Sequence, residues 1–225
     1  MTIKIYKPSK TAMQSGLGKT KKWLAEYISN EETIKDNLMG WNSSSDTKSQ
    51  IKVFFDYTCS WVRQANYWLI DLEREADFLE IEWKPFLLEQ VNAENKEIWK
   101  AWDQDLNTYI SRGIWPHLGG IAARSVSKEA GYQYMHKLLE LKHVEHKDVR
   151  SREFIYKLSE ELGFFTSKFQ EQINSDVSLE IIADSHEEGE SKGIFGTPTI
   201  EFSDGNTVFL KTFTPPKSES KKFFE

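Results

Sequence analysis

Cysteine is nearly absent from this sequence, because the 225 residues contain only one, Cys59. A single cysteine excludes an intrachain disulfide and any cysteine-rich zinc site. Long apolar runs are absent as well, and no stretch approaches the roughly 18 residues that a membrane-spanning helix needs. The first ten residues, MTIKIYKPSK, lack the apolar core of a secretory signal peptide. These absences predict a soluble protein of a reducing compartment, with no transmembrane segment and no metal site.

An excess of basic residues is also missing. The 29 Lys and Arg residues face 35 Asp and Glu residues, which gives a net charge of −6. A nucleic-acid partner is therefore not expected, since binding to phosphates depends on cations that neutralise them. Apolar side chains are plentiful, at 39% of the chain with eight Trp, and they suffice for a sizeable core.

The residues from 51 onward alternate between strand and helix patterns. The apolar run IKVFFDY (51–57) is typical of a buried strand, and residues 60–75 place apolar side chains at helical spacing. Further on, the patterns predict a strand over 79–88, helices over 94–163 with breaks at 113–116 and 143–148, a helix over 171–189, and two short strands around the turn SDGN at 203–206. This order predicts an α/β domain with a helical insertion and an antiparallel hairpin at its end.

The first fifty residues show a different sequence pattern. IKIY (3–6) alternates like a short strand. NLMGWNSSSDTKSQ (37–50) is a polar stretch that contains the apolar cluster LMGW, and its Ser-rich end is typical of a linker. We expect a short β-rich N-terminal arm over residues 1–50, too small to bury its apolar groups by itself. The domain is expected over 51–215, and the polar residues 216–225 are expected to form a flexible tail.

Three landmarks in the domain resemble the thioredoxin-like DsbA family. FFDYTCSW (54–61) is similar to the family's strand-to-helix element, IEWKPFLLEQVN (81–92) to its second strand and following loop, and GIFGTPTIEF (193–202) to its cis-proline loop. The branch most similar includes FrnE-type oxidoreductases and 2-hydroxychromene-2-carboxylate isomerases. The resemblance covers residues 51–215 and implies a thioredoxin-like fold with an inserted helical subdomain at about 94–163.

Residues 2–55 resemble a different family, the 18-kilodalton accessory subunit of respiratory complex I. The stretches IKIYKPSKTAMQSGLGKTKKW (3–23) and NLMGWNSSSD (37–46) carry this likeness, which covers the first half of that subunit. The family is a structural subunit without its own cofactor. The resemblance therefore implies docking on complex I through residues 1–50, in a mitochondrial matrix protein peripheral to the inner membrane, whereas the domain alone implies a cytoplasmic one.

Cys59 stands where the strand pattern stops and the helix pattern starts. A thiolate there gains from the helix dipole and the free amide groups of the first turn. The alternative is a buried cysteine that acts as a small hydrophobe. The resemblance implies that Cys59 is the catalytic nucleophile. It also implies that Ser60, Trp61, Thr197 and a cis-Pro198 shape the substrate-binding site, with the Thr197 backbone bonding a bound peptide or glutathione.

Val62 stands three residues after Cys59, where a dithiol enzyme has its second cysteine. Without a resolving thiol, a mixed disulfide on Cys59 must be released by an external thiol such as glutathione. We therefore predict a monothiol, glutathione-coupled oxidoreductase with no bound cofactor. Two alternatives stay open, a glutathione-dependent isomerase and a non-catalytic accessory protein of complex I that uses the fold as a scaffold.

Overall fold

The computed structural model describes residues 5–6, 49–75 and 79–211. Most of the predicted arm over 1–50 lies outside the described residues, and so does the predicted tail over 216–225. The linker expected at the Ser-rich end of the arm therefore stays a prediction, and so does the exposure of the arm's apolar groups.

A five-stranded sheet forms the centre of the described residues, with the order β1-β5-β4-β2-β3. Strand β2 is internal to the sheet and pairs in parallel with β3 and antiparallel with β4. The strands are β1 (Ile5–Tyr6), β2 (Ser49–Phe55), β3 (Leu79–Pro85), β4 (Thr199–Glu201) and β5 (Thr207–Leu210).

Strand β2 is apolar on both faces because helices cover both sides of the sheet. Val53 and Phe55 point into the main core, while Phe54 packs with Phe86 in a smaller core on the other face. Strand β3 shows the alternation of a half-covered strand, with buried Trp83 beside more exposed neighbours.

Helices account for most of the remaining described chain. Helix α1 follows β2 directly, and the others lie between β3 and β4. Their bounds are α1 (Ser60–Glu75), α2 (Leu88–Val91), α3 (Ile114–Val126), α4 (Lys128–His143), α5 (Arg152–Glu161), α6 (Ser167–Ile173) and α7 (Asp176–Ser191). Helix α3 packs against α4 and α6, and α4 packs against α1, so the inserted helices reach back to the helix that follows Cys59.

The predicted α1 is confirmed with its bounds, and β2 begins two residues earlier than predicted. The helical prediction over residues 94–113 is wrong, because this segment holds only a 3-10 turn at Ala101–Asp103. The reason is side-chain competition for its backbone: the amide of Gln90 donates to the carbonyls of Lys96 and Trp99 at 3.1 and 3.0 Å.

Two further boundaries differ from the prediction. Pro116 does not break a helix but lies in the first turn of α3, where a missing N–H leaves no helical bond unmade. The helix predicted over 171–189 is instead divided between α6 and α7, because Ser175 caps α7 by accepting a hydrogen bond from the Val177 N–H at 3.2 Å.

The start of the predicted arm belongs to the sheet. Ile5 and Tyr6 pair antiparallel with Leu210 and Phe209 at the free edge of β5. The N-terminal residues thus contribute an edge strand to the domain, which the sequence patterns did not predict.

Candidate functional site

Cys59 lies at the junction of β2 and α1. Its N–H donates to the carbonyl of Asp56 at 3.0 Å, and its own carbonyl accepts from the N–H of Val62 at 3.2 Å. The thiol is partly exposed and packs against the edge of the main core. The fold thus places the sulfur at the N-terminus of a helix and within reach of solvent, as a nucleophile requires.

The loop with the cis-proline lies directly beside this sulfur. The Thr197–Pro198 peptide bond is cis, as the resemblance implied. The thiol of Cys59 donates to the carbonyl of Thr197 at 3.2 Å. Antiparallel pairing of β4 with β2, which sets Thr199 opposite Phe54, brings the two loops together.

The other predicted site residues lie around the first turn of α1. Ser60 is exposed and Trp61 is partly exposed, so both border the surface next to Cys59. Val62 is 0% exposed and belongs to the main core. The structure therefore gathers Cys59, Ser60 and Trp61 at one place, with Thr197 and Pro198 on the facing loop, while their roles in binding stay predictions.

Asp56 fixes the turn that carries Cys59, a role that the sequence patterns did not predict. Its buried carboxylate accepts hydrogen bonds from the N–H groups of Thr58 at 2.7 Å and Leu88 at 2.6 Å. Burial raises the pKa of Asp56, and these two backbone hydrogen bonds act against that rise. One side chain thereby ties the Cys59 turn to the start of α2.

The inserted helices supply a second unpredicted support. The Nε2 of His143, the last residue of α4, donates to the carbonyl of Tyr57 at 2.9 Å. Burial lowers the pKa of His143. Nearby, Glu140 accepts from the guanidinium of Arg63 at 2.9 Å and from the hydroxyl of Tyr67 at 3.0 Å. These contacts join residues more than seventy positions apart, so no local sequence signal could reveal them.

His117 lies in the core behind the site. Its ring is 1% exposed and sits 5.0 Å from the ring centres of both Phe55 and Tyr57. Neither ring nitrogen has a hydrogen-bond partner among the described residues. Burial, with a smaller effect of His186, lowers the pKa of His117 to about 3.

Metal and membrane features are not found in the part of the chain that the structure describes. No group of three or more His, Cys, Asp or Glu side chains is arranged to hold a metal ion there. Within the same residues, the helices are too short or too polar to cross a bilayer.

Comparison with known proteins finds a family likeness in the N-terminal segment. Residues 2–67 match the family described as NADH dehydrogenase ubiquinone Fe-S protein 4. A curated relative, the mitochondrial NADH dehydrogenase [ubiquinone] iron-sulfur protein 4 of Dictyostelium discoideum, is 42% identical over 55 residues. That alignment covers 24% of this chain and 28% of the relative. The predicted resemblance to a complex I subunit is confirmed, and the chain spans little more than a quarter of that relative's length.

Solved structures identify the fold of the remainder. A cytosolic disulfide reductase DsbM from Pseudomonas aeruginosa superimposes with a TM-score of 0.57 at 16% identity, covering 78% of this chain and 96% of that one. A 2-hydroxychromene-2-carboxylate isomerase superimposes with a TM-score of 0.55 at 15% identity, covering 78% of this chain and 91% of that one. Reduced DsbA1 from Neisseria meningitidis gives 0.55 at 14% identity, with 81% and 84% covered. The predicted thioredoxin-like fold of the DsbA type is confirmed.

The complex I family match and the thioredoxin-like fold overlap in one part of the chain. The match over residues 2–67 runs through β2 and into the first half of α1, and so includes Cys59. The family match therefore includes the whole of β2, an internal strand of the thioredoxin-like sheet.

The burial of His117 predicts a specific loss of stability in acid. Between pH 6.5 and about 3 the unfolded chain binds a proton at this imidazole and the folded chain does not. The contribution of the neutral imidazole to the free energy of unfolding is therefore fully present above pH 6.5, and it is lost as the pH is lowered. From pH 7 to pH 5 this histidine alone should remove about 2 kcal/mol from the free energy of unfolding.

Urea unfolding of the parent and of His117→Leu at both pH values checks this prediction. The variant should lose about 2 kcal/mol less than the parent on acidification. His146→Asn, which alters an exposed histidine, serves as the control and should behave like the parent. Equal losses in the parent and His117→Leu would show that His117 does not carry the effect.

Proposed function

We propose that this chain catalyses thiol–disulfide exchange with Cys59 as its one nucleophilic thiol and glutathione as its co-substrate. The observation that carries the proposal is the 3.2 Å hydrogen bond from the Cys59 thiol to the carbonyl of Thr197, next to cis-Pro198. The sulfur thus lies at the N-terminus of α1 and faces the backbone of Thr197, to which a substrate chain can hydrogen-bond.

The exchange takes two steps. The Cys59 thiolate attacks the mixed disulfide of a substrate thiol and glutathione, so that a disulfide forms between Cys59 and glutathione and the substrate leaves as a thiolate that takes up a proton. A second glutathione thiolate then attacks this adduct, releases oxidised glutathione and restores Cys59. Across the cycle the substrate sulfur is reduced to a thiol and one free glutathione is oxidised, because it ends in a disulfide with the glutathione taken from the substrate. The cycle requires no second cysteine in the protein.

The surrounding residues have distinct parts in this scheme. When the Cys59 thiol loses its proton, the carbonyl of Thr197 loses its donor and becomes available to an N–H of the bound substrate. Pro198 follows the Thr197 carbonyl and offers no N–H, and Trp61 offers an aromatic surface. Ser60 places a hydroxyl at the first position of α1. Asp56 and His143 are positioning residues that hold the turn around Cys59 from behind.

Glutathione as co-substrate has support from one relative of the fold. A structure of the Pseudomonas aeruginosa reductase with GSH superimposes with a TM-score of 0.55 at 16% identity. The isomerase with a similar score supports the alternative of an isomerase function. The partly exposed thiol at the helix start favours exchange, because an isomerase that only binds glutathione has no need of a protein thiol there.

Incubation of the protein with oxidised glutathione tests the proposal. Intact mass should increase by a single glutathione, and excess reduced glutathione should remove it, because Cys59 is the only cysteine in the chain. Cys59→Ser should show no increase. A parent protein that stays unmodified while its urea-unfolded form reacts would show that the folded site does not support the exchange.

Val62→Cys should convert the site into a dithiol pair. Residues three apart lie on the same face of a helix, and the N–H of Val62 already bonds the carbonyl of Cys59 at 3.2 Å. Because Val62 is fully buried, we expect a cost of about 1 kcal/mol in stability. With oxidised glutathione this variant should form a disulfide between residues 59 and 62.

The mass distinguishes the outcomes, since an internal disulfide lowers the mass by two hydrogens and an adduct adds a glutathione. Val62→Ser, which shortens the same side chain without a thiol, is the matched control and should form only the adduct. Failure of Val62→Cys to close the disulfide would mean that this turn does not have the geometry of a redox helix start, and the accessory-protein function would then be favoured.

The second candidate function is a non-catalytic accessory protein of respiratory complex I. The match of residues 2–67 to the NADH dehydrogenase subunit family favours it. In this case residues 1–50 dock on the complex, the thioredoxin-like fold is a scaffold, and the protein lies in the mitochondrial matrix at the inner membrane. Exchange chemistry and docking are compatible, so both can belong to one protein.

Co-purification checks the docking. The tagged full chain should bring down complex I from solubilised inner membranes, and replacement of residues 7–48 by a Gly/Ser linker should abolish this. Cys59→Ser should retain it, since the thiol has no part in docking. If complex I is recovered equally with and without the N-terminal segment, or with neither protein, docking through this segment is contradicted.

A further inference from the structure

Helix α7 (Asp176–Ser191) presents an apolar pair on the side that faces away from the core. Val177 is 54% exposed and Ile181 is 39% exposed. Residues four apart are neighbours on one face of a helix, so these two side chains form a single patch. No other exposed large apolar residue among those that the structure describes lies within a helix. The pair adds little to the core and is available to another segment.

The opposite side of α7 is fixed in the domain. Ile182, Ser185 and His186 are buried. The ring of His186 stacks on the ring of Phe86, with 4.4 Å between their centres. The helix is therefore held in one orientation, and its outward face is a fixed part of the surface.

A stripe of acidic side chains runs beside the apolar pair. Its members are exposed and follow helical spacing, and they are Asp176, Glu180, Asp184 and Glu187. The ion pairs of α7 with residues that the structure describes involve Glu188 and Glu190 instead, so this acidic stripe has no cation in contact with it there. The helix contains six acidic residues and no Lys or Arg. Like charges at this spacing repel one another, so the stripe weakens the helix unless a cation compensates it.

One segment of the chain has the complementary character. Residues 7–23, which lie outside the described residues, contain five lysines and no Asp or Glu, together with Met13, Leu17 and Trp23. The segment starts directly after the edge strand β1. Seventeen residues extend to about 55 Å at most, whereas a domain of this size is about 40 Å across. The segment is therefore long enough to reach α7, at the high effective concentration that a tether provides.

We propose that the outer face of α7 binds residues 7–23 of the same chain, with lysines on the acidic stripe and an apolar side chain on Val177 and Ile181. This contact compensates the repulsion between the four carboxylates and covers the apolar pair. Residues 1–50 are also the proposed docking segment, so a partner has to compete with α7 for it. The inference rests on neither the exchange function nor the docking function, because it concerns the isolated chain.

Zero-length carbodiimide cross-linking of the full chain tests the contact, because this reagent joins a lysine to a carboxylate only where the two meet. Peptide mass spectrometry should find lysines of residues 7–23 joined to the acidic stripe. The partly buried pair of Lys192 and Glu201, at 2.7 Å, is the internal reference. Raising NaCl from about 0.05 M to about 0.5 M should lower the stripe cross-links about fivefold relative to this reference, since salt screens exposed charges most. Cross-links from residues 7–23 to other acidic residues only, or none, would overturn the proposal.

An exchange of charges locates the contact. Glu180→Lys with Asp184→Lys should remove nearly all cross-links between residues 7–23 and α7. Addition of Lys21→Glu and Lys22→Glu to this variant should restore cross-links between the same positions, with the lysine and the carboxylate exchanged. If the fourfold variant does not restore them, the stripe is not the binding surface.

A matched variant controls for the change of net charge. Glu153→Lys with Glu160→Lys alters two exposed acidic residues on α5. This variant should keep the cross-links of the parent between residues 7–23 and α7. An equal loss in both double variants would show that the overall charge of the domain, and not α7, attracts the segment.

The apolar pair is tested in the same way. Val177→Ser with Ile181→Ser should lower the stripe cross-links about threefold, because the contact loses apolar area. Ile98→Ser with Ile110→Ser, which alters the two most exposed of these apolar residues elsewhere, should leave the yield unchanged. A yield that is the same in both variants would contradict a contact with Val177 and Ile181.

Isotope labelling separates binding within one chain from binding between two copies. Protein labelled with nitrogen-15 is mixed with unlabelled protein before cross-linking. Contact within a chain gives linked peptides that carry one label, whereas contact between copies also gives pairs with both labels. We expect pairs of one label, and a full share of mixed pairs would overturn binding within the same chain.

Discussion

The antiparallel pairing of β4 with β2 is the constraint on which the site depends. It sets Thr199 opposite Phe54, so that the loop before β4 arrives beside the turn after β2. The hydrogen bond from Cys59 to the Thr197 carbonyl is a consequence of this register. A strand register is strongly fixed where one face is buried, and Val53 and Phe55 supply that burial. The core of the sheet thus decides how far the thiol lies from the backbone that would hold its substrate.

The turn around Cys59 is held from two sides. Asp56 ties it to the start of α2, and His143 brings the end of the inserted helix α4 onto the carbonyl of Tyr57. These supports restrict the backbone while the sulfur stays partly exposed. In the proposed exchange, one thiol can accept a mixed disulfide but cannot resolve it, so that chemistry would depend on an external thiol. That dependence distinguishes it from a dithiol oxidoreductase built on the same fold.

Local patterns in the sequence predicted the elements whose residues determine their own structure. Helix α1 was predicted with its bounds because its apolar spacing and its start after Cys59 are both local signals. The irregular segment 94–113 was mistaken for helix, since the hydrogen bonds from Gln90 that hold its backbone come from outside it. Proximity of Cys59 to cis-Pro198 followed from resemblance alone. The supports from Asp56 and His143 depend on contacts across 32 and 86 positions, which no local pattern encodes.

The most direct measurement is a crystal structure of the protein after treatment with oxidised glutathione. We expect a disulfide between Cys59 and glutathione, with a backbone N–H of the glutathione donating to the carbonyl of Thr197 in place of the former thiol. The ring of Pro198 should lie against the new disulfide. A structure in which Cys59 stays unmodified and still donates to Thr197, or in which the adduct points away from the cis-proline loop, would contradict the account.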